Sequence, residues 1–347
     1  MRKLLFLLVL GSVLWSGYWF VGSSALRQGA EQWFADQAAQ GMTAEKTALS
    51  VVGFPNRFDL TVEGLRLADP KSGIGWEAPF AQIFAMTWKP WHIIAALPPE
   101  QVVTLPDQRI SITSEGLLAS LRAKPATDLP LALVGVESGP LSASSSQGWT
   151  VRADKAFASI RAADEATDQF GNAVVPEGVE NAYVLQVDIA DLAPEAAAME
   201  RIAAEAGLPP VITTLRLLAL ARLTAPLDRH AGGTQPRLAS LDLTQSQIIW
   251  GDLSATAAGA IAPDDQGFAA GRIEIAVTNW QRMVPALVAA GVVKPELSQT
   301  VENMMAALAK ASGDPAVLNL PLVLKDGWMS LGPLPLGPAP MMVGPTG

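Results

Sequence analysis

The chain has 347 residues, half of them apolar and only 16% charged, with 29 Gly, 26 Pro and no Cys. It is long enough for one large or two modest domains and apolar enough to bury a core, which excludes wholesale disorder. Without cysteine there are no disulfides, thiolate metal sites, iron–sulfur clusters or thiol nucleophile, and a net charge of −9 opposes binding to nucleic acid and electrostatic docking on anionic lipid.

Residues 4–22 form an uncharged apolar run preceded by Arg2 and Lys3. As a helix, a run of this length covers a hydrocarbon core of roughly 30 Å. The basic flank keeps the N-terminus in the cytoplasm and places the body across the membrane. Ser23-Ser24-Ala25 offers small residues to a signal peptidase, so cleavage after Ala25 stands as one reading. The run is longer than the usual signal-peptide core of about 7–15 residues and ends in bulky Tyr18, Trp19 and Phe20. The reading adopted is therefore an uncleaved signal anchor over 1–25, with Trp15, Tyr18 and Trp19 suited to an aromatic belt at the outer interface. Leu26, Ala30, Trp33, Phe34 and Gln37 fall on one helical stripe. They predict a juxtamembrane helix over 26–41 that packs its Trp33 face on the next domain and ends at Gly41.

The body, 42–347, reads as β-rich α+β: an extended, curved, mostly antiparallel sheet with a few amphipathic helices packed on it. Gly53-Phe54-Pro55 predicts a bend in a strand. Phe58, Leu60 and Val62 then alternate with Arg57, Asp59, Thr61 and Glu63, the latter set facing solvent. The apolar phase jumps by one to Leu65 and Leu67, with Gly64 at the jump as a β-bulge would require. Trp76, Ala78, Phe80, Phe84 and Met86 share the next alternating face, and Trp149, Val151, Ala153 and Phe157 repeat the template, each after a Gly-containing turn. Further strands are predicted at 110–113, 182–190, 211–225, 238–249 and 272–278. Leu320, Leu322 and Leu324 lead into Asp326-Gly327, a tight-turn dipeptide. Helices are predicted from Pro194 to Ala206, over 280–290 and over 296–311, closed by Gly207, Gly291 and Gly313. Gly171-Asn172 is an isolated turn signal, and 227–236 is the best internal loop or domain boundary.

No residue set for catalysis, metal or cofactor emerges. His92 and His230 stand on different segments without a local partner, so they support neither a triad nor a metal site. Asp264-Asp265 sits in a hairpin turn, where adjacent side chains diverge. Apolar surface remains. Ala81, Ile83 and Ala85 back the Trp76 strand, and Leu218 and Leu220 back Leu215 and Leu217, so some sheet faces must be covered by helices, by a second sheet, or left as a groove. The candidate groove residues are Trp76, Phe80, Phe84, Trp149 and Phe157. Met283, Val284, Leu287, Met304, Met305 and Leu308 lie on helices that either cover such a groove or complete an ordinary core.

The anchor segment Leu14-Trp15-Ser16-Gly17-Tyr18-Trp19-Phe20, the stretch Gly53-Phe54-Pro55-Asn56-Arg57-Phe58-Asp59 and the closing Leu331-Gly332-Pro333-Leu334-Pro335-Leu336-Gly337-Pro338 resemble the Domain-of-Unknown-Function-2125 family of bacterial proteins. That resemblance implies a bacterial, membrane-anchored protein and carries no activity or site residues; with the orientation of the anchor, the expected location is the bacterial inner membrane with a periplasmic body. At the level of architecture, the anchor followed by strand units such as Leu65-Arg66-Leu67-Ala68-Asp69-Pro70 and Trp76-Glu77-Ala78-Pro79 is similar to AsmA-type envelope proteins, which implies a lipid or other apolar ligand held along a groove. Partners expected on this reading are the inner membrane through residues 4–22 and either a lipid or another envelope protein. A scaffold without ligand, or a hydrolase with an unrecognised site, is the alternative.

Overall fold

The computed structural model describes residues 1–165, 180–195, 197–311 and 314–342; Gly171-Asn172 and Gly313 lie outside them. Strand outweighs helix by 51% to 25%, the β-rich α+β class expected. The chain divides into two units, residues 1–125 with 136–148 and residues 126–135 with 149–347.

In the first unit, α1 (Arg2–Ala39) is one uninterrupted helix of 38 residues, about 57 Å long. Anchor and juxtamembrane helix are thus a single element. It ends as expected at Gly41, whose φ of +87° suits glycine. The docking face differs from the expected one: Phe34, with Ala30 one turn earlier, packs among Leu49, Leu60, Val62 and Leu65, while Trp33 stays exposed. A step of about 100° per residue points Trp33 away once Phe34 faces inward.

The strands β1 (Thr43–Glu45) and β2 (Ala48–Val52) pair with β3 (Arg57–Asp69), which pairs along its length with β4 (Ile74–Met86). The sheet forks at β4: β5 (Lys89–Ala96) takes its C-terminal end and β6 (Glu100–Leu105) its N-terminal end. On these two branches lie β7 (Gln108–Ser114), which pairs with β6, and β8 (Leu118–Ala123), which pairs with β5. The chain passes between the units in β9 (Leu131–Ser138), and β10 (Leu141–Ser145) returns to β7.

Two local expectations are corrected here. Gly53-Phe54-Pro55 is the turn between β2 and β3, not a bend inside a strand. At Gly64 no extra residue enters the β3–β4 ladder, since Glu63 opposes Phe80 and Leu65 opposes Ala78 in one register. Instead Gly64 adopts φ +58°, and a Cβ there would fall 2.6 Å from Thr47 Cγ2. The side-chain alternation restarts on both strands together, so Leu60, Val62, Ala81 and Ile83 before the break and Leu65, Leu67 and Trp76 after it all join the core under α1. A left-handed residue rotates the next side chain to the other side, which glycine permits without a Cβ clash.

The second unit is an antiparallel meander. It begins with β11 (Thr150–Ala153), β12 (Lys155–Ala162), β13 (Ala182–Glu195), α2 (Ala197–Ala206) and β14 (Ile212–Leu223). A single turn α3 (Ala231–Thr234) precedes β15 (Leu238–Trp250), β16 (Leu253–Pro263) and β17 (Ala269–Thr278). Then follow α4 (Met283–Ala289), α5 (Ser298–Ala311), β18 (Val317–Lys325), β19 (Trp328–Leu331) and β20 (Leu334–Pro338). From β12 to β20 each strand pairs with the next, and β11 pairs with the far end of β13. Pro194 does not start the helix as expected; it opposes Val151 in that β11–β13 pairing, and α2 starts at Ala197. Asp326 and Gly327 have φ of 52° and 75°, the mirror-image two-residue turn foreseen between β18 and β19. The 227–236 stretch lies inside this unit and connects β14 to β15, tied to residues 128–131 by Leu131 N donating to Leu227 O and Arg229 N to Asp128 O. The core holds Trp280, Val284 and Met305 against Val277, Leu318 and Leu320, so α4 and α5 complete an ordinary core, with Met283, Leu287 and Leu308 at its margin.

Candidate functional site

The two sequence stretches that stand out most prove to be partners. The Gly53–Asp59 turn is tightly built: Asn56 N and Arg57 N both donate to Gly53 O. Arg57 Nη2 lies 2.7 Å from Asp59 Oδ2. Asp59 is buried, not at a solvent face as its alternation suggested. Gly53 has φ +106°, and a Cβ on it would fall 2.8 Å from Arg57 O and 3.1 Å from the Asp59 carboxyl, so no other residue fits there.

Into this turn the helix directs three aromatic donors at i, i+3 and i+4 spacing. Trp15 Nε1 donates to Pro55 O (3.0 Å), Trp19 Nε1 to Arg57 O (2.7 Å) and Tyr18 OH to Thr87 O (2.8 Å). Thr87 closes the ring by donating from both N and Oγ1 to Asn56 O. Trp19 stacks on Phe58 at 6.1 Å and meets Phe54 edge-on at 5.4 Å, while Phe20 stacks on Phe54. Gly22 gives Phe58 room, since a Cβ there would fall 2.6 Å from its Cζ. The three residues read as a lipid-facing belt thus point their polar atoms at their own domain.

The five predicted groove residues do not converge. Trp76 belongs to the core under α1, with Nε1 donating to Gln101 Oε1 at 3.0 Å. Phe80 and Phe84 lie on the opposite face of the same strand, opposite Glu63 and Asp59 in register, because of the break at Gly64. The Arg57 guanidinium lies 5.9 Å from the Phe84 ring. Trp149 stands just before β11 and Phe157 on β12, opposite Asp188, both in the second unit. His92 has Ser120 Oγ at 3.5 Å, and His230 is exposed with Asp128 at 3.6 Å. Asp264 Oδ1 accepts from Gln266 N and Phe268 N, so this carboxylate serves the turn. Among the described residues no three His, Asp or Glu side chains converge on a metal-sized point.

Sequence reasoning set Leu215 and Leu217 against Leu218 and Leu220 but did not bring out the rows that the two faces of the second unit's strands form. One carries a polar row beside Phe157, Leu218 and Leu220: Asp188 pairs with Arg216 at 2.6 Å, and Gln247, Thr256 and Asn319 continue the row around a hollow of about 550 Å³. Partial burial pushes the Asp188 carboxyl up, but hydrogen bonds from Arg216 and Gln186 outweigh it and hold the group below its usual 3.8. On the other face, helices bury Val277 to 3% and Leu318 to 0% exposure. Further along that face Ile160, Leu185, Val187, Ile189, Leu215 and Leu217 come together through the β12–β13–β14 register. Five of them are half-buried, Ile160 is exposed, and among the described residues none belongs to a buried cluster. Ala158, exposed, and Ala219, buried to 1% exposure, lie among them in the same register. The alternation of 183–190 was legible, but which strand segments the helices leave uncovered was not.

A helix long and apolar enough to cross a membrane opens the chain. No curated protein and no solved structure gives a significant match. Residues 19–340 match the family model described as an uncharacterised protein conserved in bacteria, DUF2125, a span that takes in Trp19, the 53–59 turn and the strands of both units. The chain belongs to that family.

Proposed function

We propose that this is a non-enzymatic, membrane-anchored envelope protein that holds an apolar chain, such as a lipid acyl tail, on the aliphatic stripe of its second unit. The observation that carries the reading is the contrast within one sheet face: Val277 and Leu318 are buried by helices, while Val187, Leu215 and Leu217 are not. Leaving several large aliphatic side chains together on a surface forgoes about 25 cal/mol for every Å² that could be buried, and contiguous patches of this kind mark binding surfaces. The stripe holds no charged group, and the charged pairs Asp188–Arg216 and Arg222–Asp242 occupy the opposite face. On this reading the apolar helix anchors the protein beside a source of such ligands, and the basic flank Arg2-Lys3 supports a cytoplasmic N-terminus and a periplasmic body.

The test is a photocrosslinking amino acid placed in the full chain at Val187 or Leu217, with Thr256 on the polar face as control, irradiated in native membranes. A small acyl-bearing adduct at 187 and 217, absent at 256, is the expected result. An adduct of protein size at the same positions would overturn the ligand reading in favour of a scaffold that binds another envelope protein through this stripe.

A further inference from the structure

The socket around Trp15 and Trp19 fixes how deep the first unit sits. Crossing roughly 30 Å of hydrocarbon takes about 20 helical residues. With Arg2 and Lys3 held at the near surface, the far edge of the hydrocarbon falls near Gly22. Yet Trp15 and Trp19 are hydrogen bonded to Pro55 and Arg57. From Leu4 to Trp15 the helix rises only about 17 Å. A tilted helix needs more residues to cross, which carries the contact deeper. If the two basic side chains snorkel, residues 15–19 move outward only as far as the interface.

We infer that the tip of the first unit, formed by the 53–56 turn and the 86–89 turn, is seated in the lipid leaflet on the domain's side of the membrane. Three independent features of the tip suit that medium. Its large apolar side chains face outward: Phe54, Trp88 and Met86 are 51%, 48% and 42% exposed, with the exposed polar groups Asn56, Arg57 and Lys89 beside them, within reach of the headgroups. Five carbonyls at and beside the tip are capped from within the protein: Gly53, Pro55, Asn56, Arg57 and Thr87 oxygens accept hydrogen bonds from the chain. Backbone in lipid requires this, whereas a turn in water does not. Lys89 is exposed directly beside Trp88, placing a cation next to an interfacial aromatic where lipid phosphates lie. The lipid-facing surface of α1 therefore continues onto the domain through Phe20 and Phe54, which stack on each other.

The chain has no cysteine, so single cysteines can be introduced and labelled with the environment-sensitive fluorophore NBD without other changes. The full chain carrying Trp88→Cys, Met86→Cys or Phe54→Cys is reconstituted into phosphatidylethanolamine–phosphatidylglycerol vesicles with acyl-chain nitroxide lipids. Leu8→Cys reports the anchor. Ser72→Cys reports the opposite end of β3, about 40 Å away at the usual strand rise. Quenching by nitroxide lipid at 86 and 88 several-fold above that at 72, with protection from aqueous iodide, is the expected result. Met86 and Trp88 are neither the stacked rings nor the hydrogen-bond donors of the socket described above, so these two sites decide the matter should Phe54→Cys fail to fold. Quenching at 8 but iodide access at 86 and 88 equal to that at 72 would overturn the seated tip while leaving the anchor; absence of lipid quenching at 8 would overturn both.

Discussion

At the scale of single residues, the socket depends on positions where no other side chain serves. Gly53→Ala puts a Cβ 2.8 Å from Arg57 O at a φ of +106°; the strained backbone and the clash should together cost about 1–3 kcal/mol. Trp19→Phe keeps the ring contact with Phe58 but leaves Arg57 O without its donor, a loss of about 1–3 kcal/mol where no water can replace it. Thermal unfolding of the full chain in detergent should show both changes, with Trp33→Phe, at an exposed position outside the core, as the neutral control. Asp188 gives a pH dependence. Its folded pKa lies below the ordinary 3.8, so its contribution to stability is complete above that value and is lost as pH falls through the folded pKa. The pair is partly exposed, so Arg216→Met should cost no more than about 1 kcal/mol at pH 7 and should flatten the acid limb of stability against pH. An unchanged acid limb would show that other carboxylates govern it.

At the scale of elements, the same kind of side chain has different work on covered and uncovered strand segments. Leu318 is fully enclosed by α5 and the neighbouring strands, so Leu318→Ala should cost about 2–5 kcal/mol. Leu217 sits half-buried on the stripe, and Leu217→Ala should cost well under half as much, measured by denaturant midpoint on the same protein. Equal losses would mean that the stripe is core. This division explains what could be read beforehand. The alternation of Ile273, Ile275 and Val277 and the Asp326-Gly327 turn are local, and both stand as expected. The face of Trp76 was misassigned because a period-2 pattern cannot see a left-handed glycine acting on two paired strands at once. The partners of Trp15 and Trp19 could not be read beforehand because their acceptors lie some 40 positions away, and a Trp that suits an interface suits a carbonyl of its own domain equally well. Phe34 and Trp33 are adjacent, so the stripe that contains both could not say which one docks.

At the scale of the whole molecule, the helix is part of the first unit's fold and not a detachable tether. Trp19, Phe34 and Ser23 are buried against the domain, and Phe58 fills the space that Gly22 leaves. A chain begun at Leu26 would lose Trp15, Tyr18, Trp19 and Gly22 and expose Phe58 and Phe54 to water, removing the donors that cap Pro55, Arg57 and Thr87. A chain begun at Val13 would keep every one of these contacts and shed residues 1–12, whose large apolar side chains are exposed. The longer version should therefore unfold at the higher temperature and remain monodisperse at detergent concentrations where the shorter one aggregates, although by hydropathy alone it is the worse candidate for solubility. The same contacts bear on processing: a cut after Ala25 would separate the aromatic donors from their turn, so protein recovered from membranes should carry its first 25 residues by intact mass. Recovery of a stable chain starting at Leu26 would show that the socket is dispensable and that the helix serves only delivery.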